Sequence, residues 1–296
     1  MKAIILAAGM GARLRPLTDN MPKCLVPVHG KPLLEYALDS LDRVGIEECV
    51  VVIGFCGDQI MNLTGERHGQ MKMTYVENPI FDTTNNIYSF WLAHPEMNDD
   101  ILLLEGDLLF DVDLISDLLA EPHPNVAVVD PYQDHMDGTV IMAEQGLAHS
   151  MVLKAHQGEG FDYDRALKTV NIYKFSRAML HDHFLPGVGS FIADGRTDQY
   201  YEAVLADLIG RRSVEMAVQI ARPHKWAEVD DVDDLRLAEH MFPRPCARET
   251  ALSASSRLTG DSDTTGHAFT ANPSRMTIPS PRADGPSSVM QPGSAV

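Results

Sequence analysis

The stretch IILAAGMGARLRPLTDNMPKCLVPV, residues 4–28, combines a buried strand with a basic loop. Its opening apolar run is typical of a strand in the middle of a parallel sheet. The run stops at Gly9 and Gly11, and Arg13, Arg15 and Lys23 follow. Glycines after a buried strand allow backbone N–H groups to approach an anion closely. The stretch therefore predicts an α/β fold whose first strand ends in an anion-binding loop.

Composition and charge limit the class of protein. The chain has 296 residues, 45% of them hydrophobic, which is enough to bury a substantial core. The formal net charge is −18, and residues 243–296 contain five arginines against four acidic residues, so residues 1–242 carry −19. Such an acidic body repels nucleic acids and anionic membranes, and we expect neither as a partner.

Cysteine content and hydropathy indicate the cellular location. The four cysteines lack C-x-x-C spacing and are too few for a disulfide scaffold in so long a chain. The first apolar run, residues 3–8, is shorter than the roughly 7–15 residues of a signal-peptide core. No run approaches the about 20 residues that a membrane-spanning helix needs. We therefore expect a soluble, cytoplasmic protein.

Strand and helix patterns alternate along the first 242 residues. The early apolar runs cover residues 2–7, 49–55, 72–76 and 100–107, and helical patterns lie between them at 31–45, 57–67 and 83–94. Four further strands and three further helices follow, the last helix at 231–241. This order predicts one α/β domain, residues 1–242, with a Rossmann-like mixed, mostly parallel sheet flanked by helices. Residues 243–296, rich in Ser, Pro, Thr and Gly, are predicted to be a disordered tail.

Two known glycine-rich patterns do not match the loop. The dinucleotide pattern G-x-G-x-x-G requires a third glycine where Leu14 stands, and Phe55 rather than an acid ends the second strand. The Walker pattern requires a Gly-Lys-Ser/Thr sequence, which does not follow here. The loop therefore belongs to neither class.

The remaining pattern is L-x-x-G-x-G-x-R-L-x-P-L-T, followed by P-K-x-L-x-P-V and G-K-P-L. It resembles the signature of the nucleotidyltransferases that join a nucleoside triphosphate to a phosphorylated sugar or alcohol. The resemblance implies that Arg13 binds the triphosphate and that Lys23 bridges phosphates at the reacting centre. It also implies that the strand end and the loop bind the nucleotide through main-chain groups of Leu6, Ala7, Ala8, Gly9 and Gly11.

Acidic residues follow a second buried strand in DILLLEGDLLF, residues 100–110. Glu105 and Asp107 would lie at the carboxyl end of that strand, where ligands bind in open α/β sheets. The resemblance implies that Asp107 is a metal ligand, and we expect Mg²⁺ as the cofactor. Asp111 is expected to cap the next helix.

A triphosphate site with Mg²⁺ usually takes one or two carboxylates, so a second acid is expected. The segment WAEVDDVDDLRLAE, residues 226–239, resembles the family's closing motif, in which an acid lies just before a helix, and this resemblance makes Asp230 one candidate, with Glu228 close behind. The neighbouring Asp231, Asp233 and Asp234 also suit the first turn of a helix. The other candidate is Glu202, which resembles the position of the second metal aspartate in choline-phosphate cytidylyltransferases. The sequence leaves this choice open.

Two segments resemble cytidylyltransferases that use phosphocholine or small phosphonates. In NPIFDTTNNIYSFWLA, residues 78–93, the Asn-Asn-x-Tyr-Ser pattern implies that Asn85, Asn86 and Ser89 contact the nucleotide or the acceptor. Either Thr84 or Asn85 also suits a helix N-cap.

The second of these segments is MVLKAHQGEGFDYDRALKTVNIYKF, residues 151–175. Its resemblance to the acceptor half of these enzymes implies that Lys154, Lys168 and Tyr173 contact the acceptor. Several aromatic residues could either surround a quaternary amine or pack in the core: Phe161, Tyr163, Tyr200, Tyr201 and Trp226.

The resemblance as a whole implies an enzyme that transfers CMP from CTP to a small phosphorylated or phosphonate acceptor, similar to phosphocholine or 2-aminoethylphosphonate, with release of pyrophosphate. Two alternatives remain: a sugar-1-phosphate nucleotidyltransferase that makes an NDP-sugar, and a non-catalytic regulatory subunit on the same fold. The expected partners are therefore CTP and the acceptor. The sequence leaves open whether the chain forms a homo-oligomer.

Overall fold

A mixed sheet of ten strands forms the centre of this computed structural model, which describes residues 1–242. The strands of the described residues are β1 (Lys2–Ala7), β2 (Pro27–Val28), β3 (Lys31–Pro32), β4 (Glu48–Ile53), β5 (Arg67–His68), β6 (Met71–Glu77), β7 (Ile101–Glu105), β8 (Leu108–Phe110), β9 (Val126–Pro131), β10 (Val140–Glu144), β11 (Leu147–Val152), β12 (Leu167–Phe175), β13 (Ala217–Ile220) and β14 (Trp226–Glu228). The α-helices are α1 (Leu33–Arg43), α2 (Gly57–Thr64), α3 (Asn86–Leu92), α4 (Val112–Ala120), α5 (Arg177–Met179), α6 (Leu185–Ala193), α7 (Glu202–Gly210) and α8 (Val232–Met241), with a π-helical turn between α5 and α6.

The sheet has a parallel half and a largely antiparallel half. Its spatial order is β10-β11-β13-β9-β12-β7-β1-β4-β6-β5. Strands β7, β1, β4 and β6 run parallel to one another, whereas β12 is antiparallel to both β7 and β9. Strand β13 returns to a parallel arrangement beside β9. The prediction of an α/β fold with a mixed sheet flanked by helices is confirmed, and the glycine loop follows β1, inside the parallel half of the sheet.

Helices cover both faces of the sheet. Successive side chains of β1 point to opposite faces, and each face packs in its own apolar cluster. Ala3 and Ile5 pack with apolar residues of α1 and α4 on one face. Ile4 and Leu6 pack with apolar residues of α3, α6 and α7 on the other. β1 is therefore buried on both faces, as its unbroken apolar sequence predicts.

The closing segment of the domain pairs with the strand that follows the acidic residues. Strand β14 is antiparallel to β8, with Glu228 opposite Leu108. The backbone N–H of Val229 donates to the carbonyl oxygen of Asp107 at 3.0 Å. A third apolar cluster, which includes Leu14, Val229 and Phe242, joins this segment to the basic loop. Residues from both ends of the domain therefore meet at one edge of the sheet.

Some sequence predictions differ from the structure in detail. The short strands β2, β3, β5, β8 and β14, the longer strand β11 and the helix α6 were not predicted. Asp111 occupies the N-cap position of α4, but its side chain accepts a hydrogen bond from the backbone N–H of Lys225 at 2.8 Å instead of capping the helix. The predicted cap function of Asp111 is therefore wrong, because a contact more than a hundred residues away in sequence takes its carboxylate.

Two predictions concern other parts of the chain. The predicted disordered tail, residues 243–296, lies outside the described residues, so the predicted domain boundary stays a prediction. Within residues 1–242, no helix is both long and apolar enough to cross a membrane.

Candidate active site

A cavity of about 880 Å³ opens at the carboxyl ends of β1 and β7. Its lining includes almost every residue that the sequence predicts for the site: Leu6, Ala7, Ala8, Gly9, Gly11, Arg13, Lys23, Asn85, Asn86, Ser89, Asp107, Lys154, Lys168, Glu202 and Asp230. These residues come from elements distributed over more than two hundred positions of the chain. The fold therefore gathers the predicted residues around one space.

The glycine loop packs directly on Lys23. Gly11 has φ +64°, and a Cβ atom built there would lie 2.8 Å from Cβ of Lys23. The hydroxyl of Thr18 donates to the carbonyl oxygen of Gly11 at 2.7 Å and holds the turn. Both the backbone conformation and the lack of space therefore require glycine at this position.

Lys23 joins two carboxylates from distant parts of the chain. Its Nζ donates to Oδ2 of Asp107 and lies 2.5 Å from Oδ1 of Asp230. The guanidinium of Arg13 contacts the same oxygen of Asp230 at 2.7 Å. We call these four residues, Arg13, Lys23, Asp107 and Asp230, the lysine–aspartate cluster.

The opposite charges of this cluster stabilise the charged forms of Lys23 and Asp230. Burial alone would lower the pKa of Lys23, but the carboxylates of Asp107 and Asp230 outweigh burial and raise it. Burial would raise the pKa of Asp230, and the charges of Lys23 and Arg13 outweigh it and lower that pKa. The lysine is therefore an ammonium and Asp230 a carboxylate at neutral pH.

Two further acids of the cavity are in a different electrostatic environment. Glu202 is 5% exposed, and burial raises its pKa to about 6. Burial and the nearby charges of Asp107 and Glu202 raise the pKa of Glu105 well above its ordinary value. The side-chain amide of Asn86 donates to Oε1 of Glu105 at 3.1 Å.

Lys168 is a buried lysine with a dedicated partner. It is 2% exposed, and its Nζ donates to Oε2 of Glu228 at 3.2 Å and to the carbonyl oxygen of Thr169 at 2.6 Å. Asn171, in a left-handed backbone conformation with φ +60°, donates to the other oxygen of Glu228 at 3.0 Å. Glu228 is thereby bound to Lys168, whereas Asp230 belongs to the lysine–aspartate cluster.

The three polar residues of the predicted Asn-Asn-x-Tyr-Ser pattern line the cavity. Their side chains differ in the hydrogen bonds that they already make within the protein. Asn85 is the N-cap of α3 and accepts from the N–H of Asn86 at 2.8 Å, as the sequence predicts. The Asn86 side chain is occupied at both ends, because its oxygen accepts from the backbone N–H of Tyr201 at 3.0 Å. Ser89 accepts from the amide of Asn78 at 3.1 Å.

Two residues considered from the sequence, Tyr173 and Arg15, do not line the cavity. Tyr173 is fully buried in the core against Phe175 and does not line the cavity, so its predicted acceptor contact is wrong. A register shift in β12 between Thr169 and Tyr173 places Asn171 at the cavity instead. Arg15 is half exposed and pairs with Asp19, away from the cavity lining.

The aromatic residues considered from the sequence lie in different parts of the structure. Tyr201 is buried in the core, Trp226 lines a second cavity of about 910 Å³, and Tyr163 stacks on Tyr132 at 4.1 Å between ring centroids. Of the five aromatic residues considered from the sequence, Tyr200 alone lines the active-site cavity.

Sequence reasoning missed several lining residues, among them Asn78, Asp137, Thr139 and Asn171. Asp137 pairs with the exposed Lys154 at 2.7 Å. These residues lie in loops or at the register shift of β12, and no sequence motif or periodic pattern marks them. Nothing in the sequence alone distinguishes them from surface polar residues.

The oxygen donors of the lysine–aspartate cluster fit a magnesium ion. Oδ1 of Asp107 is buried and has no hydrogen-bond partner. Among residues 1–242, no group of three or more Asp, Glu, His or Cys side chains is arranged to hold a metal ion. If a magnesium ion binds in the cavity, Asp107 and Asp230 would supply the one or two carboxylates that Mg²⁺ usually takes, with substrate and water oxygens completing its shell.

A Rossmann-like sheet with a glycine loop and an acid–lysine cluster at its carboxyl edge is the arrangement expected for a nucleotidyltransferase. Residues 3–173, more than half of the chain, match the model of the MobA-like NTP transferase domain. The chain therefore belongs to the MobA-like NTP transferase family. The resemblance found in the sequence is confirmed.

Some of the similar proteins are named for CMP or cytidylyl transfer, and others are named for uridylyl transfer to a sugar phosphate. The CMP-5'-(3-aminopropyl)phosphonate synthase of Streptomyces rubellomurinus is 33% identical over 255 residues, which are 86% of this chain and 41% of that protein. The choline-phosphate cytidylyltransferase of Streptococcus pneumoniae is 27% identical over 243 residues, which are 82% of this chain and 98% of that protein. A solved structure of a CTP:phosphocholine cytidylyltransferase from Streptococcus pneumoniae has a TM-score of 0.65 at 22% identity, covering 81% of this chain and 98% of that one. The structural similarity supports the fold.

Proposed function

We propose that the protein transfers CMP from CTP to a small acceptor that carries a phosphate or phosphonate group, with release of pyrophosphate. The observation that carries the proposal is that Lys23 bridges Asp107 and Asp230 in the cavity that the glycine loop lines. The names of the two curated relatives, a CMP-phosphonate synthase and a choline-phosphate cytidylyltransferase, support CTP as the nucleotide. The Asn-Asn-x-Tyr-Ser segment at the cavity supports the same branch.

The chemistry is an in-line attack by an acceptor oxygen on the α-phosphorus of CTP. A phosphomonoester has a second pKa of roughly 6 and is largely dianionic at neutral pH, so no strong general base is needed. Catalysis then depends on positioning the two anionic substrates and neutralising their charge. The cavity has the cations for this purpose.

Each cation has a distinct role in the proposal. The loop N–H groups and Arg13 bind the triphosphate, and Arg13 holds the leaving pyrophosphate. Lys23 stabilises the α-phosphoryl and acceptor oxygens. Lys154, which is exposed at the cavity wall, binds the phosphate or phosphonate of the acceptor. Lys168 is bound to Glu228 and shapes the wall at the same site.

Mg²⁺ is the proposed cofactor, held by Asp107 and Asp230. When bound, it neutralises charge on the phosphates and orients the triphosphate. Lys23, which contacts both carboxylates, would supply positive charge to the phosphoryl oxygens at the same place.

The decisive experiment measures pyrophosphate release with each of the four NTPs against phosphocholine, 2-aminoethylphosphonate and hexose 1-phosphates. Turnover with CTP and a phosphate or phosphonate acceptor is expected. Turnover with a hexose 1-phosphate instead would identify an NDP-sugar synthase. A failure to bind CTP in calorimetry would contradict the proposal and favour a non-catalytic role.

A further inference from the structure

The side-chain amide of Gln157 joins separate parts of the wall of the active-site cavity. Its Nε2 donates to the carbonyl oxygen of Gly138, in the loop before β10, at 2.8 Å and to that of Val152, at the end of β11, at 2.9 Å. Its Oε1 accepts from the hydroxyl of Tyr163 at 3.0 Å. Both N–H groups and the oxygen of this half-buried amide are therefore used within the protein, which fixes its orientation.

The backbone that Gln157 holds contacts two lysines of the cavity. Asp137 pairs with Nζ of Lys154 at 2.7 Å. A Cβ atom built on the next residue, Gly138, would lie 3.2 Å from Cε and 3.4 Å from Nζ of Lys168. All four of these residues line the cavity, whereas Gln157 does not. Gln157 is thus placed to act on the cavity through the segment of Asp137 and Gly138.

Aromatic side chains outside the cavity support Gln157 in turn. The ring of Tyr163 stacks on that of Tyr132 at 4.1 Å between centroids, and the ring of Phe161 packs against it edge-on at 4.9 Å. The hydroxyl of Tyr132 donates to the carbonyl oxygen of Met136 at 2.7 Å. These contacts join the loop between β9 and β10 to the loop between β11 and β12, and they hold the Tyr163 hydroxyl against Gln157.

Lys154 needs such support because its own contacts are weak. Its side chain is 53% exposed, and an exposed ion pair such as that with Asp137 fixes a long side chain poorly. A cation contributes to binding and catalysis only where it is held in the right place relative to the substrate. The position of Lys154 therefore depends on the backbone around it and on the position of Asp137.

We propose that Gln157 is a positioning residue for the acceptor: by holding the segment of Asp137 and Gly138, it fixes Lys154 where the phosphate or phosphonate of the acceptor binds. This inference rests on the proposed cytidylyl transfer and on the function of Lys154 in it. Gln157 does not touch the substrate. Its loss therefore affects the acceptor and leaves the nucleotide, which the glycine loop binds on the other half of the sheet, largely unaffected.

The first test measures pyrophosphate release with CTP, Mg²⁺ and either phosphocholine or 2-aminoethylphosphonate. Gln157→Leu removes all three hydrogen bonds at similar side-chain size, and Gln70→Leu is the matched control at an exposed glutamine outside the cavity. Gln157→Leu should raise KM for the acceptor by about tenfold, the size expected when a charge-assisted hydrogen bond is lost, with KM for CTP changed less than about twofold. Tyr163→Phe, which keeps the stacked ring and removes one hydrogen bond, should raise it by about twofold. Gln70→Leu should match the wild type.

A double-mutant cycle distinguishes positioning of Lys154 from a general structural function. Lys154→Met raises KM for the acceptor in the wild type, and it should raise KM little further in Gln157→Leu, because the lysine is no longer held there. Multiplied effects of the two substitutions would overturn the proposal. If Gln157→Leu fails to fold in urea unfolding, the same cycle with Tyr163→Phe decides the question.

The remaining outcomes separate this inference from the proposed function. An unchanged KM for the acceptor in Gln157→Leu, or an equal rise in KM for CTP and for the acceptor, would overturn only the function of Gln157. The absence of both turnover and CTP binding in the wild type would contradict the cytidylyl-transfer proposal itself. Amide hydrogen exchange needs no turnover: residues 136–139 should exchange faster in Gln157→Leu than in Gln70→Leu, and equal exchange would overturn the positioning by Gln157.

Discussion

Nζ of Lys23 lies 2.5 Å from Oδ1 of Asp230, although 207 positions separate the two residues in the sequence. The contact joins the basic loop after β1 to the segment between β14 and α8. Asp107, at the end of β7, contacts the same ammonium. One lysine thus connects the first strand, a central strand and the closing segment of the domain, and the proposed reaction takes place at that junction.

Asp107→Asn is expected to lower kcat for pyrophosphate release by about 10²-fold or more, because it removes the proposed metal-binding charge from the cavity. The fold should persist, since the side chain lies at the cavity and not in an apolar cluster. Asp113→Asn, at an exposed position in α4, is the matched control and should retain activity. Wild-type turnover in Asp107→Asn would reject the metal function.

Lys23→Ala should lower kcat by at least about 10²-fold, as expected when a preorganised charge is removed from a reacting centre. Lys23→Arg keeps the charge but not the compact ammonium that fits between two carboxylates, so only partial recovery is expected. Steady-state kinetics with CTP measure both variants. Unchanged kcat in Lys23→Ala would refute the assignment.

Gly11→Ala should reduce both stability and activity. A residue with a side chain in the left-handed conformation costs about 1–2 kcal/mol, and here Cβ would also collide with Lys23. Gly146→Ala is the matched control: its φ is +81°, but a Cβ there meets nothing within 4 Å. In urea unfolding we expect Gly11→Ala to lose more stability than Gly146→Ala, and in kinetics only Gly11→Ala to lose activity. Equal effects of the two substitutions would show that Lys23 accommodates the added methyl group.

Lys168→Met should mainly lower the stability of the fold, whereas Lys154→Met should mainly weaken binding of the acceptor. Lys168→Met leaves Glu228 without its buried partner and should cost about 3 kcal/mol of folding free energy. Lys154→Met breaks an exposed pair with Asp137 and should change stability little. Lys154→Met should instead raise KM for the acceptor, with kcat for saturating acceptor less affected. A stability loss in Lys154→Met alone would contradict this division.

Asp39 should contribute pH-dependent stability. Burial would raise its pKa, but hydrogen bonds from His68 at 2.6 Å and Lys31 at 2.5 Å outweigh burial and lower it to about 2. A carboxyl with a lowered pKa stabilises the fold above its unfolded pKa, and this stability is lost as the pH falls from about 4 to about 2. Asp39→Asn should therefore cost about 1 kcal/mol near pH 6, after solvent screening, and progressively less below about pH 4. Urea unfolding at several pH values measures the difference, and a constant difference would contradict the prediction.

The N-terminal half of the fold was readable from local sequence. The apolar runs of β1, β4 and β7 and the loop glycines have short-range signatures, because burial on both faces and left-handed turns restrict the residue types directly. Asp107 and Asp230 were candidates because their segments, one after a strand and one before a helix, resemble motifs of the nucleotidyltransferases. Asp233 and Asp234 lie in the first turn of α8, as the sequence predicts, whereas the cap that Asp231 forms with a reciprocal contact to Asp234 was not predicted.

The later half carried weaker signals because its contacts are non-local. Strands β8 and β14 are three residues each, too short to show a recognisable period, and they pair although five other strands lie between them in the sequence. Tyr173 was misplaced because a register irregularity in β12 changes which side chains reach the cavity. Asp111 was misassigned for a similar reason, since a distant backbone N–H takes its carboxylate.

The sequence alone determined the apolar strands of the parallel half, the glycine loop with its basic residues, and the family. These features depend on residues that are close together in the chain. Folding was needed to choose between the acids: Asp230 pairs with Lys23, Glu228 pairs with Lys168, and Glu202 keeps a buried oxygen without a partner. The physical reason is that charge pairing and burial depend on distances between side chains, and strand pairing sets those distances between residues that are far apart in the chain.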